Sequence, residues 1–365
     1  MEFSYSEYDP SRETLKDLLK RLKSLYHDLL LQADGDPQQA LDWLKMLAER
    51  YNLFPKGFTI DDLKNALKEE RLIEDSVEGL AMAPGGERAL RQESLDRIFS
   101  GLSKDAAGDH RVSAPGVGQE RLPETRPFEF GDPSNMIDAT ASVRNALRRG
   151  IDSSSFQLAE EDLEVHETEH LSSCATVLLI DISHSMILYG EDRITPAKRV
   201  ALALTELIRS RYPKDGLRVI TFGDDAEEVH LDDISRISVG PYHTNTRAAL
   251  QMARDLLRRE KRANKQILMI TDGKPSALTE RNGEIYKNPF GLDRRIVAKT
   301  MDEATICRRH GIPITTFMLT DDPTLVQFIE DFTEANRGRA YFAGLDRLGS
   351  TMFVDYVNNR KSRVQ

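Results

Sequence analysis

The chain has 365 residues, 39% hydrophobic and 30% charged, and its length predicts two domains or one domain with a large appendage. A formal net charge of -10 argues against general binding to nucleic acid or anionic membranes. No apolar run has the length of a signal peptide or a membrane span, so we expect a cytoplasmic protein that does not insert into membranes.

The first third of the chain predicts helices. Between residues 15 and 30, leucines recur at the spacing of an amphipathic helix, and the turn "DGDPQ" opens a second helix. Thr59 and Asp62 have the spacing of a capping box at the start of a third. With a further helix around "ERALRQESLDRIFSGL", residues 1–102 are predicted to form an all-α amino-terminal region.

Residues 103–133 are rich in glycine and proline, which predicts a linker or an extended strap. Residues 134–160 are predicted to contain a connecting helix, "NMIDATASVRNALRRG", and the lead-in to the next domain. The two cysteines, Cys174 and Cys307, are too few for a disulfide framework or a zinc site and are predicted to be buried thiols.

Residues 161–360 alternate apolar strands with helical stretches, which is typical of an α/β domain with a Rossmann-like, doubly wound, mostly parallel sheet. Strands as apolar as "CATVLLI" and "QILMIT" are covered by helices on both faces. In such sheets ligands bind beyond the carboxyl ends of the strands. The loops at that edge are therefore the candidates for function.

Three of these loops carry oxygen-bearing side chains of the kind that hard cations prefer. Mg²⁺ takes six oxygens at about 2.1 Å and gives up its water reluctantly, so a few hydroxyls and two carboxylates suit it. Neutral hydroxyls leave the ion partly unneutralised, and a carboxylate of another protein can then complete its shell. The candidates are Asp181, Ser183 and Ser185 in "VLLIDISHSM", Thr244 or Thr246 in "YHTNTRAAL", and Asp272 in "QILMITDGKPS".

Together, D-x-S-x-S, T-N-T-x-A-A-L and T-D-G-x-P resemble the metal-ion-dependent adhesion site of the von Willebrand factor A domain family. The resemblance spans roughly residues 163–359 and implies binding of Mg²⁺, or of Mn²⁺ or Ca²⁺. The ligands that it implies are Asp181, Ser183, Ser185, Thr244 and Asp272.

The rim of this site is predicted from neighbouring side chains. His184 stands where the family usually has glycine, so we expect it to point away from the metal, where it can contact a partner or make the loop sensitive to pH. Thr246 is placed on the same rim. The long stretch 274–292 carries Tyr286 and Phe290, which predicts one wall of a docking surface, although a loop without a role fits the sequence equally well.

Other motifs are weaker. "HETEH" matches a zinc-protease pattern, but the alternation of apolar and polar residues that leads into it predicts an edge strand. On a strand, His166 and His170 lie roughly 13 Å apart and cannot share a metal. "TDGKPS" lacks the glycine and the hydroxyl of a phosphate loop, and the chain has no G-x-S-x-G motif. We therefore expect no enzymatic activity.

A helical region before an A domain also resembles intracellular bacterial proteins, namely the partners of MoxR-type AAA+ ATPases and the CoxE and chelatase D groups. This resemblance implies an adaptor or co-chaperone that engages such an ATPase and delivers a client. Two alternatives stay open. One is a metal-dependent phosphohydrolase, with Asp181 where a phosphorylated aspartate can sit; the other is a chelatase-D-like subunit that assists metal insertion into a tetrapyrrole.

Overall fold

A computed structural model describes the chain outside a few segments, and its described part divides into two compact units. The first contains residues 1–106, 174–261 and 265–354, and the second contains residues 107–173, 262–264 and 355–365. The described residues are 15–55, 57–77, 79–105, 120–129, 137–149, 158–169, 173–240, 242–272, 274–288, 290–320, 322–342, 344 and 347–361.

The amino-terminal part of the first unit is helical, as predicted. The predicted capping box is present, because the Thr59 side chain accepts from the backbone N–H of Asp62 and the Asp62 carboxylate accepts from that of Thr59. The sequence did not predict the short hairpin after the third helix. The elements are α1 (Leu15–Gln32), α2 (Pro37–Tyr51), α3 (Ile60–Glu69), β1 (Ile73–Ser76), β2 (Gly79–Met82) and α4 (Pro84–Asp105).

A six-stranded, mostly parallel sheet forms the centre of the unit and confirms the predicted α/β fold. Its order is β12-β11-β8-β5-β6-β7, and β7 is antiparallel to β6. Every residue of β5 is buried, which explains its unbroken apolar sequence. The strands are β5 (Cys174–Asp181), β6 (Gly216–Phe222), β7 (Ala226–Val229), β8 (Asn264–Thr271), β11 (Ile314–Met318) and β12 (Arg339–Phe342).

Helices flank this sheet. Residues of α7, α8 and α9 form one buried cluster with alternate residues of β5, β6, β8 and β11, while α6 is buried along most of its length. None of the described helices is long and apolar enough to cross a membrane. These helices are α6 (Ile194–Arg211), α7 (Thr246–Arg259), α8 (Arg294–Arg309) and α9 (Pro323–Asn336), and α10 (Leu348–Lys361) follows them in the chain.

The stretch 274–292, predicted as a loop, contains a second small hairpin. Its strands are β9 (Ala277–Thr279) and β10 (Ile285–Lys287), paired in antiparallel register. Strands of three residues, such as these, are too short to show a periodic sequence pattern. The predicted buried thiols are confirmed, since Cys174 and Cys307 are both free and buried.

The amino-terminal helices pack on α6 through buried charges. The side chain of Lys198 in α6 is 0% exposed, and its Nζ donates to the Leu31 carbonyl at 2.9 Å and to Asp34 Oδ1 at 2.6 Å. The neighbouring Arg199 donates to Asp28 Oδ1 in α1 at 2.7 Å. The helical region and the sheet therefore share one interior.

The second unit contains β3 (Glu120–Pro127), α5 (Ala139–Arg149) and β4 (Glu164–Glu169), and β3 pairs with β4 in antiparallel register. His166 lies in β4, so the expected strand conformation of "HETEH" is confirmed there; His170 lies outside the described residues. Part of the predicted strap, 103–133, is the strand β3, and much of the rest lies outside the described residues. The boundaries 102/103, 133/134 and 160/161 remain predictions.

Candidate metal centre

The sheet brings the two candidate carboxylates to the same edge. In the strand order, β5 lies between β6 and β8, and Asp181 is the last residue of β5 while Asp272 follows the last residue of β8. Thr271 Oγ1 donates to Asp181 Oδ2 at 2.6 Å, and nearer the opposite ends of the strands Gln266 Nε2 donates to Thr176 Oγ1 at 3.0 Å. Both strands therefore end at the same edge.

The first loop folds its hydroxyls back over this edge. After β5 the chain enters a 3-10 helix from His184 to Gly190. The backbone N–H of Ser183 donates to Asp181 Oδ1 at 2.9 Å, which turns the loop around the carboxylate. The hydroxyls of Ser183 and Ser185 lie 3.0 Å apart, on the same side of the loop.

The second loop is held by Asn245, whose side chain is fully buried and caps α7 by accepting from the backbone N–H of Ala248 at 3.1 Å. Its own backbone N–H donates to the Gly223 carbonyl at 2.7 Å. The backbone N–H of His184 donates to the Tyr242 carbonyl at 3.2 Å and joins this loop to the first. Thr244 is thereby fixed beside the first loop, and it is buried.

The third loop closes the arrangement. Thr244 donates its backbone N–H to Ser276 Oγ at 3.0 Å, and its carbonyl accepts from the backbone N–H of Ser276 at 2.9 Å. Ser276 lies four residues after Asp272, so hydrogen bonds join the second loop to both the first and the third. The five predicted ligands are thus collected at one edge by loops that support each other.

Two buried carboxylates dominate the electrostatics of this edge. Burial, followed by the negative charge of Asp272, raises the pKa of Asp181 to about 7. Asp272 is buried as well, and its Oδ1 has no hydrogen-bond partner among the described residues. Two buried carboxylates whose charges oppose each other are unfavourable, and a bound cation would relieve that repulsion.

The chemistry of the donors fits a hard divalent ion. Asp181, Asp272 and the hydroxyls of Ser183, Ser185 and Thr244 are all oxygen donors, as Mg²⁺ requires. In the described part of the chain no three His, Cys, Asp or Glu side chains are grouped to hold a metal, so nothing there suggests a zinc cluster. A site on these loops would depend on hydroxyls for much of its shell.

The structure distributes the predicted rim residues unevenly. His184 is exposed beside the two serines, but Thr246 is only 4% exposed in the first turn of α7 and offers little surface to a partner. Tyr286 and Phe290 are exposed on and after β10, and the Tyr286 hydroxyl donates to Asp293. The backbone N–H of Asn288 donates to the Ser276 carbonyl, which ties the base of this hairpin to the third loop.

Sequence reasoning missed several residues of this edge. Ser276 and Thr271 hold Thr244 and Asp181 in place, and Ile187 and Tyr242 are half-exposed next to the first loop. A hydroxyl immediately before Asp272 at the end of a buried strand was a signal for Thr271. No comparable signal marks Tyr242, because its position depends on contacts with residues distant in sequence.

The sheet, its flanking helices and the loops at its carboxyl edge define a von Willebrand factor A domain. The vWA domain model of the Rv0959-like proteins matches residues 174–357, and the model for their third domain matches residues 120–168. The chain therefore belongs to the Rv0959-like protein family.

Two mycobacterial relatives are similar over most of this chain. The uncharacterized proteins Rv0959 of Mycobacterium tuberculosis H37Rv and Mb0984 of Mycobacterium bovis are each 32% identical over 311 residues, covering 83% of this chain and 46% of theirs. The chain thus spans about half the length of these relatives. Among solved structures, the vWF domain of the type V pili tip protein Mfa5 from Porphyromonas gingivalis is 12% identical with a TM-score of 0.42, covering 53% of this chain and 98% of that one.

Proposed function

We propose that this protein is a protein-interaction module that binds Mg²⁺, or Mn²⁺ or Ca²⁺ in its place, and docks a carboxylate of a partner protein on that ion. The observation that carries the proposal is the pair of buried carboxylates, Asp181 and Asp272, whose negative charges oppose each other and which lie among hydroxyl groups. Such an arrangement costs stability in the free protein, so a function is the best reason for it.

The residues at this edge have two different roles. The hydroxyls of Ser183, Ser185 and Thr244, with the two aspartates, would hold the ion, which when bound supplies positive charge to a partner's oxygen. Thr271 and Ser276 orient Asp181 and Thr244 through hydrogen bonds. Because these supports come from the ends of buried strands and from short loops, the site is preorganised.

Metal binding tests the proposal directly. We expect isothermal titration of the metal-free protein with MgCl₂ or MnCl₂ to show one site, and Asp272→Asn to abolish it. The matched control is Asp225→Asn, which removes the same charge from an exposed aspartate after β6. Unchanged binding by Asp272→Asn, or equal losses in both variants, would reject this site.

For the partner, we propose a MoxR-type AAA+ ATPase in the cytoplasm, with this chain as its adaptor or co-chaperone. The support is the resemblance to the partners of such ATPases, together with the buried hydrogen bonds between the helical region and α6 of the vWA domain, which let a partner contact both at once. Affinity purification of the native chain in Mg²⁺, compared with chelator and with Asp181→Ala, is the test. Recovery of an ATPase in none of the samples, or equally in all, would contradict the metal-bridged adaptor.

We propose that the chain itself is not an enzyme. In the phosphohydrolase alternative Asp181 would act as a nucleophile, but the proposed function already uses this buried carboxylate as a ligand of the ion, and its oxygens also accept hydrogen bonds from the Ser183 N–H and the Thr271 hydroxyl. A carboxylate engaged by a cation is a weaker nucleophile than a free one. Turnover of p-nitrophenyl phosphate in Mg²⁺ that disappears in Asp181→Asn would overturn this proposal.

A further inference from the structure

Exposed cationic side chains collect at the edge where the strands of the sheet begin, opposite the candidate metal centre. The helices α7, α8 and α9 end at this edge, because each leads into one of the parallel strands β8, β11 and β12. Since β8 has eight residues, the two edges lie roughly 26 Å apart. Six exposed residues in the last turns of these helices, or just after them, are here called the basic edge: Arg258, Arg259, Lys261, Arg308, Arg309 and Arg337.

Buried contacts hold the three helix ends together. Nη1 of Arg254 in α7 lies 2.7 Å from Oε1 of Glu303 in α8, one turn before Arg258. Asn336, the last residue of α9, is buried and donates from its side chain to the Ala304 carbonyl of α8 at 2.9 Å. The backbone that carries the cations is therefore fixed, and a partner meets a preorganised surface.

The helices alone do not account for all of these cations. A helix carries a partial negative charge at its carboxyl end, which favours an arginine or two in its last turn. Lys261, however, lies two residues after the end of α7. Arg337 has a left-handed backbone with φ of +57°, at the position after a helix where glycine is usual. The positive charge thus extends beyond what stabilises the helices.

The charges of the basic edge are largely uncompensated. Among the described residues, none of its six side chains has an ion pair or a hydrogen bond. Of the nearest carboxylates in sequence, Glu260 is 23% exposed and lies 4.0 Å from Nε of Arg218, and only Glu334, one turn before Arg337, is exposed. The edge therefore presents net positive charge to a partner.

The side chains point to an anionic partner that is recognised by charge and not by its bases. Five of the six cations are arginines, whose guanidinium groups bind carboxylates and phosphates through paired hydrogen bonds. Residues 254–266, 302–314 and 334–340 contain no Phe, Tyr or Trp. The edge therefore lacks the aromatic rings on which proteins stack the bases of single-stranded nucleic acids.

The size of the basic edge favours a short acidic segment. Helix α8 packs against both α7 and α9, and packed helices lie about 10 Å apart, so the three ends span about 20 Å, or six extended residues. The formal charge of the chain is -10 with these six cations included, so the rest carries -16. A nucleic-acid duplex or a membrane would extend over this negative remainder and be repelled, whereas a short segment stays on the edge.

We propose that the basic edge binds an acidic segment of a protein partner, about six residues long and rich in Asp and Glu, without a metal ion. This inference goes beyond the proposed function, because the metal edge takes a single carboxylate through a cation, whereas the basic edge takes several through arginine. With both sites, the module would connect two partners across the length of its sheet.

A labelled acidic peptide tests the basic edge by fluorescence anisotropy on the full chain. The peptide is Gly-Glu-Asp-Glu-Glu-Asp-Glu-Gly, and its uncharged counterpart is Gly-Gln-Asn-Gln-Gln-Asn-Gln-Gly. Dialysed, metal-free protein keeps carboxylates from binding at the metal edge through an ion. At about 50 mM NaCl we expect the acidic peptide to bind at least about tenfold more tightly than its counterpart, and this affinity should fall at least about threefold at about 300 mM NaCl.

Paired substitutions locate the binding. Arg258→Glu with Arg308→Glu should weaken the acidic peptide at least about tenfold. Arg258→Gln with Arg308→Gln, which places no negative charge at the helix ends, should weaken it about threefold. The matched control is Arg88→Glu with Arg281→Glu, two exposed arginines outside the basic edge; it changes the net charge equally and should keep the affinity within about twofold.

Three results would overturn the proposal. The first is equal affinity for the two peptides, including no measurable binding of either. The second is an equal loss in the charge-reversal variant and its matched control. The third is tighter binding of a short DNA duplex, or of vesicles with about 30% phosphatidylserine, that Arg258→Glu with Arg308→Glu abolishes. The basic edge would then serve a nucleic acid or a membrane and not an acidic protein segment.

Discussion

The first unit buries charged side chains in two places, and the two have opposite effects on the stability of the fold. Behind the sheet, Lys198 is fully buried but bonded to Asp34 and to the Leu31 carbonyl, so its charge is compensated. At the carboxyl edge, Asp181 and Asp272 are also buried, yet they repel each other. Buried charge of the first kind joins helices to one another, whereas buried charge of the second kind is the arrangement from which we propose a cation site.

The first test of this comparison removes the counter-charge of the buried lysine, Lys198. Asp34→Asn leaves Lys198 buried without its counter-charge, and asparagine tolerates the left-handed backbone of this position, where φ is +50°. Because the Asp34 side chain is 49% exposed, water offsets part of the loss, and we expect a fall of about 2 kcal/mol in the free energy of unfolding. Urea denaturation measures it, with the exposed Asp42→Asn as control; equal stabilities of the two variants would show that the Lys198 pair contributes little.

The second test changes the pair Asp181 and Asp272, and its effect on the free energy of unfolding should have the opposite sign. Asp272→Asn removes the repulsion with Asp181, so we expect the metal-free protein to gain about 1 kcal/mol in urea denaturation with chelator present. The variant should no longer be stabilised by Mg²⁺, whereas the wild-type protein should be. A destabilised metal-free variant would show that the two carboxylates serve the fold and would remove the contrast.

A third change removes a hydrogen bond that holds Thr244 at the candidate metal edge and leaves the charge of that edge unaltered. Ser276→Ala removes the acceptor of the Thr244 backbone N–H. We expect Mg²⁺ affinity to fall about tenfold, with less than about 1 kcal/mol lost in stability. Ser350→Ala, at a half-buried serine of α10 that bonds only within its own turn, is the control; if its Mg²⁺ affinity falls by as much, the loss is not specific to the support of Thr244.

The smallest expected effect is a pH dependence of stability that comes from the pair Glu93 and His27, which lies among the amino-terminal helices. Burial raises the pKa of Glu93 in α4, but the hydrogen bond and charge of His27 in α1 outweigh it, so the net pKa lies below the ordinary value of 4.5. A carboxyl with a lowered pKa in the folded state contributes stability above pH 4.5 that is lost as the pH falls through the folded pKa. We therefore expect Glu93→Gln to reduce the difference in unfolding free energy between pH 6 and pH 3.5; an unchanged difference would contradict this.

The sequence predicted the sheet and the edge loops because both depend on local patterns. Strands such as β5 are long and buried on both faces, and the change from Ile180 to Asp181 marks where one ends. The hairpins β1–β2 and β9–β10 escaped prediction because their strands of three or four residues are partly exposed and show no period.

Long-range contacts account for the rest of what the sequence could not show. In the sequence, Lys198 looks like an ordinary polar position of an amphipathic helix. Its partner Asp34 is 164 residues away, so no local pattern joins the two. The position of Tyr242 likewise depends on Gly223 and Gly240, which lie close against its side chain. Thr246 was assigned to the rim from its place in the motif, but the first turn of α7 buries it.

The burial of both cysteines has a practical consequence. The chain contains only two, and burial, with the nearby charge of Glu303, raises the pKa of the Cys307 thiol to about 12, while Cys174 lies in the fully buried β5. Neither should react readily with alkylating probes in the native protein. A cysteine placed at Phe290, which is 85% exposed, would therefore accept a fluorophore almost alone. The native chain is thus ready for site-specific labelling without first removing thiols from its core.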